Sequence, residues 1–141
     1  MQATLSRQAA REILFKLVYE FNINGEFDEF SLKLFTTGLD EKDSEYIKDC
    51  YTGITSKAEE LKNKIAALSE NFSLDRIYKM DLSALMLAIY EIYYREDIPD
   101  RVSANEATEL SKKYSSEKSY SFVNGLLAAV IKEKESNGNN N

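Results

Sequence analysis

The chain has 141 residues, of which 43% are hydrophobic and 30% charged, with a net charge of −6. No histidine, a single cysteine, five glycines and one proline exclude histidine-based catalysis, histidine metal sites, an internal disulfide and glycine-rich phosphate loops. That length suffices for one domain with its own core, and no apolar run indicates a membrane span or a signal peptide. We therefore expect a cytoplasmic protein that is not an enzyme and holds neither metal nor cofactor.

The acidic excess lies in one part of the chain. Residues 25–60 contain ten acidic and four basic side chains, whereas the other segments are close to neutral. Exposed charges more than about 8 Å apart are largely screened in physiological salt, so a basic patch elsewhere is compatible with the net charge. Its affinity for RNA alone is expected to be modest and sensitive to salt.

Hydrophobic periodicity predicts helices throughout the N-terminal half, over residues 6–22, 28–37, 41–54 and about 56–70. Ser6 and Asp40 are expected to act as N-caps of the first and third helices. Ser56 and Glu59 have the spacing of a capping box and would open the fourth.

The second of these helices is short and ends at Gly38, a residue typical of helix C-termini. Its apolar side chains Phe30, Leu34 and Phe35 are expected to face the core, as the apolar side of a surface helix normally does.

The C-terminal half is predicted to contain a helical turn and three helices, over residues 73–80, 82–94, 103–114 and 117–134. Asp81 would cap the helix over 82–94, which is apolar on nearly every side and is therefore expected at the centre of the domain. Pro99 ends it, and Ser103 with Glu106 predicts a second capping box.

No segment has the alternation of a strand, so the fold class is all-α. Residues 1–135 are expected to form a single domain. Residues 136–141 are polar and are predicted to be a disordered tail.

The first helix places two cations and two aromatic rings along one flank of its apolar stripe. Arg7 and Arg11 lie beside the stripe, and Phe15 and Tyr19 continue the same side. Such a flank can bind RNA through phosphates and stacking, or it can bind a protein partner. Equally, the rings can pack beneath a neighbouring helix while the arginines are solvated.

The segment from Phe122 to Gly125 is unusual because Asn124 and Gly125 are poor helix formers inside a strong helical pattern. Phe122 lies one turn after Lys118, so a ring beside an ammonium group could stack on a single-stranded base. The preferred interpretation of the other two is structural: Gly125 permits a close helix crossing, and Asn124 bonds a buried loop backbone.

Six segments together resemble the NusB family of bacterial transcription antitermination factors, over about residues 6–132. In chain order these are Ser6-Arg7-Gln8-Ala9-Ala10-Arg11-Glu12 with Leu17-Val18-Tyr19; Phe72-Ser73-Leu74-Asp75-Arg76-Ile77; Ala88-Ile89-Tyr90-Glu91-Ile92; Ile98-Pro99; Val102-Ser103-Ala104-Asn105-Glu106-Ala107; and Phe122-Val123-Asn124-Gly125-Leu126-Leu127. Their order and spacing would rarely arise by chance.

The resemblance implies a fold of two perpendicular three-helix bundles that share one core. It also implies binding to the boxA element of nascent ribosomal RNA, together with NusE, a small-subunit ribosomal protein that doubles as a Nus factor. The heterodimer would join RNA polymerase and the other Nus factors and suppress premature termination. No catalysis is implied, and a homodimer of the free protein is possible.

The resemblance also assigns residues to these roles. The implied RNA contacts are Arg7, Arg11, Arg76, Phe122 and Asn124, and helix geometry adds Lys118. The implied contacts with the protein partner are Tyr19 and Asp81, to which the flank of the first helix adds Phe15.

The chain departs from the family pattern at three positions. Gln8 and Ala10 interrupt a segment that is usually richer in arginine, and Met86 stands where the central helix often carries an arginine. These departures favour dependence on the protein partner for RNA binding. The alternative function is a helical adaptor that binds only proteins.

Overall fold

The computed structural model describes residues 5–69 and 73–139, with seven α-helices and one 3₁₀ helix in these ranges. They are α1 (Arg7–Asn24), α2 (Glu29–Thr36), α3 (Glu41–Ser56), α4 (Ala58–Leu68), the 3₁₀ helix (Leu74–Arg76), α5 (Lys79–Tyr94), α6 (Asp100–Tyr114) and α7 (Glu117–Asn139). The predicted all-α class is confirmed.

Helix α5 forms the centre of the molecule. It packs against α1, α3, α4, α6 and α7, and residues 81–92 are buried without interruption. Helices α1–α3 pack together as one three-helix group and α5–α7 as another, while α4 contacts both α5 and α7. The central position predicted from its continuous apolar character is confirmed.

Two of the predicted N-caps are confirmed. Ser6 Oγ accepts a hydrogen bond from the backbone N–H of Ala9 at 3.0 Å, and Asp40 Oδ1 accepts one from Asp43 at 2.8 Å. Each bond satisfies one of the free N–H groups in the first turn of a helix.

The two predicted capping boxes are wrong. Ser56 Oγ donates to the carbonyl oxygen of Gly53 in the preceding helix, and α4 begins at Ala58 without a side-chain cap. Pro99, with φ near −60°, precedes the first turn of α6, which therefore starts three residues before Ser103.

Helix α5 likewise begins three residues earlier than predicted. It starts at Lys79, so Asp81 belongs to its first turn and is not its cap. An acidic residue is favourable there because the N-terminal end of a helix carries a partial positive charge.

Helix α2 faces the opposite way from the prediction. Phe30 is 75% exposed, Leu34 62% and Phe35 37%, and the buried side chains are instead Ser31, Leu32 and Thr36. Because α2 has only two turns and packs on α1 and α3, its apolar spacing alone does not determine which side meets the core.

The C-terminal helix is longer than predicted. Helix α7 continues through residues 136–139, where composition predicts a disordered tail. Propagating an existing helix adds a hydrogen bond for each residue that is fixed, which lets a polar segment continue it. Residues 140–141, Phe72 of the family motif and the predicted helix end near residue 70 lie outside the described residues.

Candidate RNA and partner interface

A cleft of about 330 Å³ brings together three of the predicted RNA-binding residues. It is formed where the 3₁₀ helix and the start of α5 meet the start of α7. Its lining consists of Arg76, Ile77, Tyr78, Asp81, Lys118, Ser119 and Phe122. We refer to it as the Phe122 cleft.

The Phe122 cleft offers two cations and two aromatic rings to solvent. Arg76 and Lys118 are exposed, and Phe122 is half-buried with one side packed against the core. Tyr78 is 69% exposed and is not among the residues predicted from the sequence. Its only signal in the sequence is an aromatic residue directly before a helix. Such a surface can hold phosphates beside stacked bases.

A second cleft adjoins the first because Tyr78 lines both. Its volume is about 500 Å³, and its lining consists of Tyr19, Tyr78, Lys79, Met80, Tyr114, Ser115 and Ser116. Tyr19, a predicted partner contact, is half-buried there. We refer to this second feature as the Tyr19 cleft.

Asp81 is not available as a surface contact, which corrects the role implied by the resemblance. Its side chain is buried, and Oδ2 accepts a hydrogen bond from Ser119 Oγ at 2.7 Å. Burial raises the pKa of Asp81, and the hydrogen bond from Ser119 offsets this only in part. The bond joins the first turn of α5 to the first turn of α7 and so holds the base of the Phe122 cleft.

Arg11 is buried, which contradicts its predicted contact with RNA phosphates. Only 2% of it is exposed, and it forms a bidentate pair with Glu91, with Nε to Oε2 at 2.9 Å and Nη2 to Oε1 at 3.1 Å. Tyr46 Oη and Ser103 Oγ donate to the same carboxylate at 2.5 and 2.7 Å. Burial lowers the pKa of Arg11, but its hydrogen bonds to Glu91 outweigh this and raise it.

A signal for this pairing is present in the sequence. Glu91 is a carboxylate inside the most apolar helix, and a buried charge requires a charged or hydrogen-bonding partner. The helical position of Arg11, beside the apolar stripe, is compatible with burial as well as with exposure.

Arg7 reaches the surface but lies outside both clefts. Its guanidinium carbon stands 4.1 Å from the ring centroid of Tyr46, and Nη1 is 4.0 Å from Asp97 Oδ2. The same carboxylate oxygen is 2.8 Å from Arg95 Nη2. Arg7 is therefore a partly neutralised cation on a separate part of the surface.

Phe15 is buried in the core, so its predicted partner contact is wrong. Its ring stacks on Tyr114 with a centroid distance of 5.4 Å. The hydroxyl of Tyr114 and the ammonium group of Lys113 both donate to Glu12, and these bonds lower the pKa of the Glu12 carboxyl. Phe15 and Glu12 of α1 thus contact Tyr114 and Lys113 and hold the end of α6 against α1.

Asn124 and Gly125 do not have the structural roles preferred in the sequence analysis. Asn124 is exposed, and a Cβ added at Gly125 would meet open space. Asn124 follows Phe122 by two residues and therefore points to a different side of α7, away from the ring. Met86, which the resemblance marks as a departure from the family pattern, is fully buried.

Two kinds of feature are absent from the part of the chain that the structure describes. No helix there is both long and apolar enough to cross a bilayer. Nor do three carboxylate or thiol side chains approach one another in these ranges as ligands of a metal ion would.

Comparisons with known proteins agree with this fold. The model of the NusB family matches residues 8–132. The transcription antitermination protein NusB of Acetivibrio thermocellus is 43% identical over 141 residues, covering 97% of each chain. That of Finegoldia magna is 40% identical over 133 residues, covering 93% of this chain and 97% of its own.

Solved structures extend the similarity to three dimensions. NusB from T. maritima superposes with a TM-score of 0.81 at 29% identity, covering 94% of both chains. A chain from the crystal structure of antitermination factors NusB and NusE in complex with dsRNA gives a TM-score of 0.80 at 26% identity, covering 90% and 96%. The chain thus has the NusB-like helical fold and belongs to the NusB family of transcription antitermination proteins, not to a family of enzymes.

Proposed function

We propose that this protein is a transcription antitermination factor that binds boxA RNA of nascent ribosomal transcripts together with NusE. It acts in the cytoplasm and meets RNA polymerase and the other Nus factors through that complex. The observation that carries the proposal is the Phe122 cleft, in which Arg76 meets Lys118 and Phe122 although it lies more than 40 residues before them in the chain.

The cleft suits a single strand of RNA. Arg76 and Lys118 are exposed cations that contact phosphates, and the accessible sides of Phe122 and Tyr78 stack on bases. Two cations give modest affinity, which increasing salt weakens.

NusE supplies the remaining affinity in this proposal. It docks at the Tyr19 cleft, and Tyr78 stands where the RNA and the protein meet. When two surfaces hold one RNA molecule, the second contact forms at high effective concentration, so the pair binds more tightly than either component alone.

The first test is binding of labelled boxA RNA, measured by fluorescence anisotropy with and without purified NusE at two salt concentrations. We expect NusE to tighten binding, higher salt to weaken it and a scrambled RNA to abolish it. Absence of RNA binding under every condition, with NusE still captured, would contradict the proposal.

Two substitutions test the cleft directly. Phe122→Ala should weaken boxA binding by the NusE complex by about 5- to 150-fold, which corresponds to the loss of one stacked base. Lys118→Ala should weaken binding and reduce its salt dependence by about one phosphate contact. Lys48→Ala, at an exposed lysine of α3, is the matched control and should leave affinity unchanged.

A specific observation favours a second candidate, an adaptor that binds only proteins. The buried pairing of Arg11 removes one of the few cations that the resemblance assigns to RNA. Arg7→Ala separates the alternatives better than Arg11→Ala, because Arg7 is accessible and its loss leaves the core intact. If Arg7→Ala, Arg76→Ala and Lys118→Ala all leave boxA association unchanged, the protein-only function is supported.

A further inference from the structure

Helix α2 presents its apolar side to solvent. Phe30 and Leu34 are four residues apart and therefore lie on one side of α2, Phe27 directly precedes the N-cap Asp28, and all three are exposed. Their exposed fractions are 42%, 75% and 62%. We refer to these three side chains as the α2 patch. Contiguous exposed apolar residues on a soluble domain commonly mark an interaction site.

Hydrogen bonds and stacking hold the helix in this orientation. The backbone N–H of Asp28 donates to Tyr51 Oη at 2.9 Å, and the Asp28 side chain caps the helix at Ser31 N at 3.0 Å. The ring of Phe27 stacks on Tyr51 with centroids 4.8 Å apart. The patch is therefore formed before any partner arrives, which lowers the entropic cost of binding.

The charges around the patch favour a basic partner. Glu26 precedes the α2 patch, and Glu29 lies in the first turn of α2. Both glutamates are exposed, and Lys33 is the single basic residue in α2. Neither glutamate forms an ion pair among the described residues. Residues 25–60 also carry the acidic excess of the chain. An RNA strand is repelled by this surface.

The size of the patch favours a single helix over a second copy of the chain. Three partly exposed side chains offer on the order of 300 Å², whereas a stable dimer buries about 800 Å² on each partner. Two copies would also bring two acidic segments together. A helix laid across a small apolar surface needs only a few anchoring side chains.

We propose that the α2 patch docks an amphipathic helix of a protein partner, one whose apolar stripe is bordered by lysine or arginine. The apolar stripe covers Phe30 and Leu34, and the basic border pairs with Glu26 and Glu29. This surface is distinct from the Phe122 cleft, because α2 packs on α1 and α3 whereas the cleft belongs to the 3₁₀ helix, α5 and α7.

The test uses the full chain and three labelled synthetic peptides of about 14 residues, or four helical turns. The first has leucines at i, i+3, i+4 and i+7 bordered by lysines. The second has the same leucines bordered by glutamates, and the third keeps the lysines and replaces leucine by serine. We expect the first to bind at least about tenfold more tightly than the others, with affinity that falls as salt rises.

Variants of the chain locate the binding. Phe30→Ser with Leu34→Ser should abolish binding of the first peptide, and Glu26→Lys with Glu29→Lys should reverse the preference between the lysine and glutamate peptides. Val102→Ser, at an exposed apolar residue of α6, is the control and should change nothing. Binding of boxA RNA with NusE should be unaffected by the α2 variants, so this inference and the proposed function fail separately.

Three results would overturn the inference. One is equal binding of the lysine and glutamate peptides. Another is binding that survives the Phe30→Ser, Leu34→Ser change. The third is a dimer in light scattering that this double change converts to a monomer, since the occupant would then be a second copy. The double variant should keep the melting temperature of the parent, and a clear loss would contradict the outward orientation of the patch.

Discussion

The ring of Tyr90 lies directly against Gly53 and occupies the space that any Cβ at this position would fill. Gly53 is in α3 and Tyr90 is in α5, so the missing side chain lets the two helices approach closely. Sequence pattern alone predicts such a crossing at Gly125, where the structure has open space instead. Two glycines inside helices thus have opposite surroundings.

These surroundings predict opposite effects of alanine. Gly53→Ala should destabilise the protein by roughly 1–3 kcal/mol, because the new methyl group displaces the Tyr90 ring. Gly125→Ala should stabilise it by about 0.5–1 kcal/mol, since alanine is the better helix former and meets no neighbour. Urea unfolding of both variants measures the difference, and stabilisation by both would contradict the close approach at Gly53.

The buried ion pair predicts a large cost for truncating one partner. Arg11→Ala leaves the Glu91 carboxylate buried without its cation and should lower the free energy of unfolding by about 3–5 kcal/mol. Arg7→Ala, its control on the same helix, removes only a surface cation and should cost less than about 1 kcal/mol. Equal small losses in chemical denaturation would show that Arg11 does not have the buried role described above.

Core packing predicts which leucines matter for stability. Leu85 and Leu127 are fully buried, and alanine at either position should cost roughly 2–5 kcal/mol through lost burial and the cavity left behind. Leu34→Ala, on the exposed side of α2, should change stability by about 0.5 kcal/mol or less. Comparable losses at all three positions would mean that the faces of these helices are assigned incorrectly.

The environment of Asp81 predicts a dependence on pH. Burial raises the pKa of Asp81 above its unfolded value. The stability that the protonated carboxyl contributes is therefore present below the unfolded pKa of about 3.9 and is lost as pH rises through the folded pKa. Asp81→Asn is neutral at every pH and retains an oxygen for Ser119.

We therefore expect Asp81→Asn to melt at a higher temperature than the parent at about pH 7, with the gap closing toward about pH 4. Thermal unfolding across this range checks the sign. Asp75→Asn, at an exposed aspartate of the 3₁₀ helix, is the control and should follow the parent at each pH. A gap that widens on acidification would contradict the prediction.

The helices could be predicted because their signals are local. Apolar spacing and caps such as Ser6 and Asp40 involve residues within a turn or two of each other. The outward side of α2 could not be predicted in this way, since it depends on Tyr51 in a different helix. Ser56 and Ser103 also have the spacing of capping residues, but their hydroxyl groups donate to the Gly53 carbonyl and the Glu91 carboxylate instead.

The same difference between local signals and distant contacts applies to the candidate site. Family resemblance with helix geometry selected Arg76, Lys118 and Phe122, and the structure brings these three together. Neither the resemblance nor helix geometry could separate the half-buried Arg7 from the fully buried Arg11, because that difference depends on a carboxylate 80 residues away. Tyr78 was missed because its exposure depends on how the segment before α5 leaves the core.

The carboxylate of Glu91 has a consequence for how the molecule can be divided. Two of its hydrogen-bond donors, Arg11 and Tyr46, precede the segment between α4 and the 3₁₀ helix, whereas Glu91 and Ser103 follow it. A cut there would give one fragment a buried cation and the other a buried anion, each without its complement. Neither half is then an autonomous folding unit, and the slowest-exchanging amides of α1 and α5 should open together. The Phe122 cleft, at the start of α7, thus depends for its folded support on α1, at the other end of the chain.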